Sequence, residues 1–423
     1  MLALNPTQLA NASHSIGILD QAGIPYALAI GNHDYDKLPP VNRSAITFNQ
    51  YFGPSRYANA GHYGATNFPA GSNENFYETF NWGGKSYLVL VLEFVPRNSA
   101  LAWAKSVLNA NTDKEVIVVT HSYLYSDGTT VDECDTGDMI GDNYGGLQWS
   151  NFVSQFPNIS VVLSGHITNK FNARRSDVGV GGNFVHQIFA NWQDWTNGGN
   201  GYLRTMQFSP SNNTIKVKSY SPYTGLFLTD AGDQFTLKWH NDGAPGSGTA
   251  TVVGRVRNAA YGKGCSAIAG ATVNVGGATV TTDSNGRFSL TIPPSQVTAN
   301  ATAGYLTSAQ NVKLNDYFTN ELDFFLTPTP PCPQSSVDPS VTICTPAANS
   351  TVTSPVNIVA GTNDSGSIVV NMFVWVDGIK QWTASGGSLN VSLPMASGLR
   401  RVSMQGKDAA GRYFRSVEYI TVQ

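Results

Sequence analysis

Ile24-Pro25-Tyr26-Ala27-Leu28-Ala29-Ile30-Gly31-Asn32-His33-Asp34 is the stretch whose reading decides the fold. Its apolar first part predicts a buried strand over 24–30. Gly-Asn-His-Asp then places an amide oxygen, an imidazole and a carboxylate on one tight loop at that strand's carboxyl end, where open α/β sheets gather their ligands. Asn is an uncommon metal ligand, and a His beside it suits proton transfer at a metal-bound phosphate. The same four residues also read as a polar turn with a hydrogen-bonded His. Two more histidines, His121 and His166, follow apolar runs of their own and strengthen the first reading.

Outward from that loop, residues 1–238 alternate helical and strand patterns. Residues 8–22 space Leu9, Ile16, Leu19 and Ala22 near one helical face. KSYLVLVLEF (85–94), EVIVVT (115–120) and ISVVLS (159–164) read as apolar strands, with helices at 100–110 and 146–156 between them. Further strands are expected at 184–190, 202–208 and 214–220. This order predicts a layered α/β sheet closed by an antiparallel section. After the linker HNDGAPGSG (240–248), residues 249–328 become short strands between Gly-rich turns. Asp283-Ser284-Asn285-Gly286 reads there as a hairpin turn. A Pro-rich linker, TPTPPCPQSS (327–336), precedes another run of short strands over 337–423. Both carboxyl-terminal segments read as β-sandwiches.

The 423 residues suit roughly three domains. Only 13% are charged, while Gly, Ser, Thr and Asn abound, a mix that fits β-rich extracellular modules. A net charge of −3 gives no basic footprint for nucleic acid, and no apolar run is long enough to span a bilayer. Met1-Leu2-Ala3-Leu4-Asn5-Pro6 has neither the basic stretch nor the apolar core of a secretory signal. None of Cys134, Cys265, Cys332 and Cys344 forms a Cys-x-x-Cys pair. A disulfide between Cys332 and Cys344 would fit an oxidising compartment; two free buried thiols are the alternative.

Asn32, His121 and His166 offer an amide oxygen and two imidazoles, a donor set that suits a first-row transition metal. All three would line one crevice if their strands are parallel neighbours. Through these residues and the motifs around them, the chain resembles the calcineurin-like metallophosphoesterases over residues 1 to about 220. Gly31-Asn32-His33-Asp34 matches that family's third motif, His121 in Val118-Val119-Thr120-His121 its fourth, and Gly165-His166 the start of its fifth. The resemblance implies a layered αββα fold, here lacking its first strands, and cleavage of phosphate esters by metal-activated hydroxide. It implies Asn32, His121 and His166 as ligands of a divalent Fe, Mn or Zn. It implies His33 as the general acid or polariser of the leaving group, oriented by Asp34; a turn-stabilising role is the alternative for Asp34.

Two departures qualify the match. No Asp-x-His or Gly-Asp-x-x-Asp precedes Gly31, and Thr168 stands where the family's second His belongs. The half-site is neutral and lacks a bridging carboxylate, so weakened metal binding and impaired turnover are expected. The expectation is an amino-terminally incomplete copy of a secreted enzyme. The rivals are a non-catalytic binding or cell-surface scaffold with a decayed hydrolase domain, and an enzyme using one metal or a substitute carboxylate such as Asp36.

Residues 249–328 resemble carboxypeptidase regulatory-like, transthyretin-like modules through Gly254-Arg255-Val256, Gly270-Ala271-Thr272-Val273 and TTDSNGRF (281–288). Residues 337–423 resemble bacterial immunoglobulin-like modules through Val376-Asp377-Gly378 and Lys407-Asp408-Ala409-Ala410-Gly411. Such sandwiches imply spacers or units that contact glycans or the cell surface, with Trp375 and Trp382 as the candidate aromatics. The acidic stretch 127–142 reads as a solvated loop, Arg174 and Arg175 as a surface pair, and His186 as structural.

Overall fold

The structure, a computed structural model, describes residues 5–38, 42–58, 60–132, 143–168, 171–258, 265–302, 308–326 and 334–423. It divides into one unit of Met1–Ala250 with Asn315–Asn320 and a second of Thr251–Leu314 with Glu321–Gln423.

The first unit opens on helix α1 (Pro6–Ala22). Asn5 caps it by accepting the Gln8 amide at 3.2 Å, and Pro6 takes the first helical position, where a missing N–H does no harm. Gly23, at φ 63°, ends it in the left-handed conformation. Helix α2 (Ile46–Phe52) is followed by the antiparallel hairpin β1 (Phe76–Trp82) and β2 (Lys85–Leu92). Helix α3 (Asn98–Asn109), β3 (Glu115–Thr120), α4 (Gly145–Asn151) and β4 (Ile159–Ser164) come next. Then come β5 (Asn172–Val178), β6 (Phe184–Ala190), β7 (Leu203–Ser209), β8 (Thr214–Ser221), β9 (Leu226–Leu228) and β10 (Gln234–Lys238).

A six-stranded sheet runs β1-β2-β3-β4-β6-β5, with β2, β3, β4 and β6 mutually parallel. A second sheet pairs β7, β8, β9 and β10. One face of the first sheet packs Leu90, Val118 and Val162 under Leu101, Ala104 and Leu108 of α3. Its other face meets the second sheet through Tyr87, Val161 and Ile188 against Ile215, Val217 and Trp239. Each side chain named in those two sentences is at most 3% exposed, which is why the strands read as nearly continuous apolar runs.

Two sequence expectations for this unit are corrected, and one of its strands went unread. Residues 24–30 form no ladder strand: only Ile30 is buried, while Ala27 and Ala29 lean on the Tyr57, Phe76 and Val91 cluster. An apolar run becomes a strand only where a neighbouring backbone completes its hydrogen bonds, and no described strand pairs with this one. The helix expected over 146–156 ends at Asn151 and continues as a short 3-10 turn, Val153–Gln155. Strand β5 escaped sequence reading because NARRSDV carries charge at positions that an edge strand leaves accessible.

The second unit is all β. The strands are β11 (Ala250–Asn258), β12 (Thr272–Val275), β13 (Ala278–Thr281), β14 (Arg287–Ile292), β15 (Gln296–Thr302), β16 (Ser308–Lys313), β17 (Asn320–Glu321) and β18 (Phe324–Leu326). They form two sheets, β14-β11-β17 with β18, and β13-β12-β15-β16. The turn at 283–286 exists, with the Gly286 amide on the Asp283 carbonyl at 3.0 Å. It carries the chain between those two sheets rather than closing a hairpin. A second pair of sheets holds β19 (Ser340–Thr345), β20 (Thr351–Val352), β21 (Val356–Asn363), β22 (Val369–Val376), β23 (Ile379–Ser385), β24 (Ser388–Leu393), β25 (Gly398–Asp408) and β26 (Tyr413–Val422). Their orders are β19-β21-β24 and β20-β26-β25-β22-β23, and Ile358, Met372, Val374 and Met404 fill the space between. The α/β domain followed by β-sandwich modules is thus the fold class expected from sequence. Cys265 and Cys344 are disulfide-bonded. Cys134, Cys332 and most of the acidic stretch 127–142 lie outside the described residues.

Candidate functional site

Parallel pairing brings the decisive residues together. Val119 sits opposite Leu163, so β3 and β4 end side by side. His121 directly follows β3, and His166 comes two residues after β4. Gly31-Asn32-His33-Asp34 supplies a 3-10 turn, Asn32–Asp34, beside them. The Asn32 Oδ1 lies 3.1 Å from His121 Nε2, and His166 Nδ1 lies 3.2 Å from that same nitrogen. The two imidazole centroids are 4.9 Å apart. Asn32 is buried and both histidines are half-buried.

Backbone geometry explains the composition of this turn. Gly31 is extended, at φ −97° and ψ 171°, which any residue adopts. A Cβ there would stand 2.9 Å from His121 Cε1 and 3.0 Å from Nε2, so the glycine is required by the imidazole lying against it. His166 has φ 76°, and the Ile167 amide donates to the Gly165 carbonyl at 3.0 Å. That is a γ-turn of positive central φ, a strained conformation for a side-chain-bearing residue. Asn191, just past β6, donates its side-chain amide to the Ile167 carbonyl at 3.1 Å and holds the turn.

Burial, reinforced by His166 and His33, pushes the His121 imidazole down to about 3, so it stands neutral with a lone pair to offer. Among the described residues no group of three or more His, Cys, Asp or Glu is placed to hold a metal ion. The convergent set is two imidazoles and one amide oxygen, and these donors with the Gly31 cradle are the chemistry that fits a first-row divalent cation.

His33 is exposed, while Asp34 is buried and accepts the Gly31 amide at 2.9 Å, closing the turn. Burial raises the Asp34 carboxyl, and the Gly31 hydrogen bond and the charge of His33 oppose that rise. Thr168 is exposed. Asp36 is engaged elsewhere: it accepts the Ile46 and Thr47 amides at 2.9 and 3.0 Å, and the Ser44 hydroxyl, capping α2.

Two residues here went unread in the sequence. Phe94 packs its ring 5.7 Å from His121 and 5.2 Å from His166, forming the floor beneath both. Glu93, fully buried, receives the Arg97 guanidinium at 2.7 Å and lies 3.7 Å from that of Arg43. Arg43 in turn donates to the carbonyls of Phe94 and Val95. The available signal was a lone carboxylate at the end of an otherwise apolar run, KSYLVLVLEF.

The remaining candidates lie elsewhere. His186 is saturated, with Nδ1 2.7 Å from the Ser176 hydroxyl and Nε2 2.8 Å from the Lys238 carbonyl. Arg175 pairs with Asp177 at 2.6 Å, and Arg174 lies over the Phe235 ring. Trp103 and Trp149 pack on the main core. No described helix is long and apolar enough to cross a membrane.

Residues 7–169 match the family described as calcineurin-like phosphoesterase, and residues 339–402 match the bacterial Ig domain. A curated relative, the uncharacterized protein YvnB of Bacillus subtilis (strain 168), is 32% identical over 222 residues. That alignment covers 51% of this chain, and the chain spans 16% of the relative's length. Among solved structures, the fibronectin(III)-like modules of Clostridium thermocellum CbhA are 21% identical, cover 19% of this chain and 93% of theirs, and reach a TM-score of 0.18. An endo-β-1,4-mannanase of Thermotoga petrophila is 14% identical, covers 21% of each chain and reaches 0.19. At those TM-scores neither likeness carries an argument.

Proposed function

We propose that the calcineurin-like phosphoesterase domain at residues 7–169 makes this chain a metal-dependent hydrolase of phosphate esters. The observation that carries the reading is the meeting of Asn32 Oδ1, His121 Nε2 and His166 Nδ1 at the carboxyl edge of the parallel sheet. Those three atoms would hold a divalent iron, manganese or zinc ion. Such an ion supplies charge neutralisation at the phosphoryl oxygens and lowers the pKa of bound water.

The protein's own residues do the rest. Phe94 seals the inner side of the two imidazoles and keeps water from their rear. Asp34 fixes the turn through the Gly31 amide and sets Asn32 inward and His33 outward. His33, exposed beside the donor set, is the group able to deliver a proton to the departing alkoxide or aryloxide oxygen. The β-sandwich modules are read as units that contact glycans or a cell surface. The disulfide-bonded Cys265 and Cys344 support a setting outside the reducing cytoplasm.

The test is metal titration of the full chain with Mn²⁺, Zn²⁺ and Fe²⁺, together with hydrolysis of 4-nitrophenyl phosphate and its bis-ester. Saturable binding lost in His121→Ala and His166→Ala, with metal-dependent turnover, is expected. Binding of equal strength in both variants would overturn the assignment. Metal bound without turnover of either ester would leave a scaffold, not a hydrolase.

A further inference from the structure

The outward face of the sheet β20-β26-β25-β22-β23 carries cations without carboxylates. Side chains alternate along each strand, so Val402, Met404, Val374 and Ile420 fill the core while their neighbours point out. Those outward neighbours include Lys380, Arg401, Lys407 and Arg415, and no Asp or Glu occupies an outward position on β22, β23, β25 or β26. The whole chain is net −3, yet this one face gathers four cations. Carboxylates of the same module are engaged elsewhere: Asp377 with Arg400 at 3.0 Å, Asp364 and Asp408 with Arg412 at 2.9 Å and closer contact. Among the described residues the side chains of Arg401 and Arg415 make no hydrogen bond or ion pair.

Aromatic rings lie between these cations. Register sets Arg401 opposite Tyr419, Lys407 opposite Tyr413, and Phe373 beside Gln405, which faces Arg415. Tyr413 and Tyr419 are half exposed, and six residues of strand separate them by roughly 20 Å. Between lies a pocket of about 220 Å³ lined by Trp375, Gly378, Arg401, Ser403, Gln405 and Arg415. Two unpaired guanidinium forks suit a carboxylate or similar oxyanion. An indole and two phenols suit the C–H face of a sugar ring while their polar edges stay wet.

We propose that this face binds an acidic polysaccharide, a chain of sugar rings bearing carboxylates, with one acidic unit seated between Arg401 and Arg415. The proposal rests on reading the sandwich modules as glycan-contacting and is independent of the phosphoesterase site. Charge complementarity names the ligand's sign, and the aromatic spacing favours a ring-built chain. A single pocket flanked by four cations is a small footprint for a nucleic acid backbone, which demands a longer basic track.

The experiment is affinity electrophoresis of the full chain through gels containing polygalacturonate, dextran or single-stranded DNA, for the native protein and for Arg401→Gln/Arg415→Gln. Both arginines are exposed, so the double variant keeps its melting temperature, checked alongside. Polygalacturonate should retard the native protein, with at least about tenfold weaker binding in the double variant and a marked loss in 0.3 M salt. Equal retardation by dextran, or arginine-dependent retardation by DNA of the same strength, overturns the acidic-glycan assignment. Polygalacturonate binding untouched by the double variant overturns the location while keeping the broader glycan reading. No retardation by any polymer overturns both.

Discussion

Replacing Gly31 by Ala isolates one contact of the candidate site. The backbone at φ −97° and ψ 171° accepts alanine without strain. In an unencumbered place the change would stabilise by about 0.4–1 kcal/mol through the unfolded state. Here the new methyl would stand 2.9, 3.0 and 3.1 Å from Cε1, Nε2 and Nδ1 of His121. Ordinary contact distances begin near 3.5 Å, so the ring must retreat by roughly 0.5 Å or more. Phe94 and His166 stand against it and resist that movement. Overpacking of this kind costs about 1–3 kcal/mol, or roughly 2–12 °C in melting temperature at this domain size. Ligand distances tolerate only about 0.2 Å, and displacement of His121 should weaken divalent-metal affinity by roughly 10–100-fold. Thermal scans and metal titration of Gly31→Ala measure the two effects. The decisive control is Gly31→Ala in a His121→Ala background, where the clash partner is gone and the methyl should become neutral or stabilising. An identical cost in both backgrounds refutes the contact, and an unchanged metal affinity refutes the placement of His121 in the donor set.

Four further outcomes follow from other parts of the first unit. Glu78 is buried, and desolvation raises its carboxyl from 4.5 to about 7. Its penalty on stability is therefore absent below about 4.5 and grows to about 3 kcal/mol as pH rises to 7. Glu78→Gln should flatten that slope in unfolding scans across pH. Asp36 behaves oppositely. Burial works against its ionisation, but hydrogen bonds from Ser44, Thr47 and Ile46 outweigh it and hold the carboxyl below 3.8. Its contribution is present above that value and lost as pH falls through the lowered one, so Asp36→Ala should cost about 1 kcal/mol at pH 7 and less in acid. His33→Ala should leave metal content unchanged while lowering turnover of aryl phosphates by roughly 10²–10⁴-fold, measured by parallel metal analysis and kinetics. Chelation with EDTA should lower the melting transition of the first unit, by about 2.7 kcal/mol relative to hundredfold saturating metal, and leave the second unit's transition in place.

Sequence reading reached the strands whose apolar runs are continuous and the loops that follow them. EVIVVT and ISVVLS are β3 and β4 to the residue, because a strand buried on both faces has no polar positions to blur its ends. Their parallel adjacency was only a condition in the sequence, since nothing in one strand names its neighbour. The apolar run 24–30 shows the opposite limit: pattern registers burial but not whether a partner backbone stands alongside. Phe94 was hidden inside an apolar run where any Phe reads as core. Its role depends on β2 ending level with β3, as Leu92 opposite Thr120 shows. The turn at 283–286 was legible as a turn, but whether it joins strands of one sheet or two is set by the packing of both sheets.

Two residues where those strand ends meet carry local strain. His166 sits at φ 76° and Val95, a β-branched residue, at φ 43°, each an unfavourable conformation of about 1–3 kcal/mol. Both are held by polar clamps from outside their own loops. Asn191 binds the Ile167 carbonyl, and Arg43, itself beside Glu93, binds the carbonyls of Phe94 and Val95. A polar turn that merely satisfied its histidines would relax into ordinary backbone and need neither clamp. The folded chain instead keeps two strained loops and a glycine pressed on an imidazole, all converging on His121. Strain of that kind persists only where surrounding structure over-determines it. Its presence beside Asn32, His121 and His166 supports reading this edge of the sheet, and not the charged β5 surface with Arg174 and Arg175, as the candidate site.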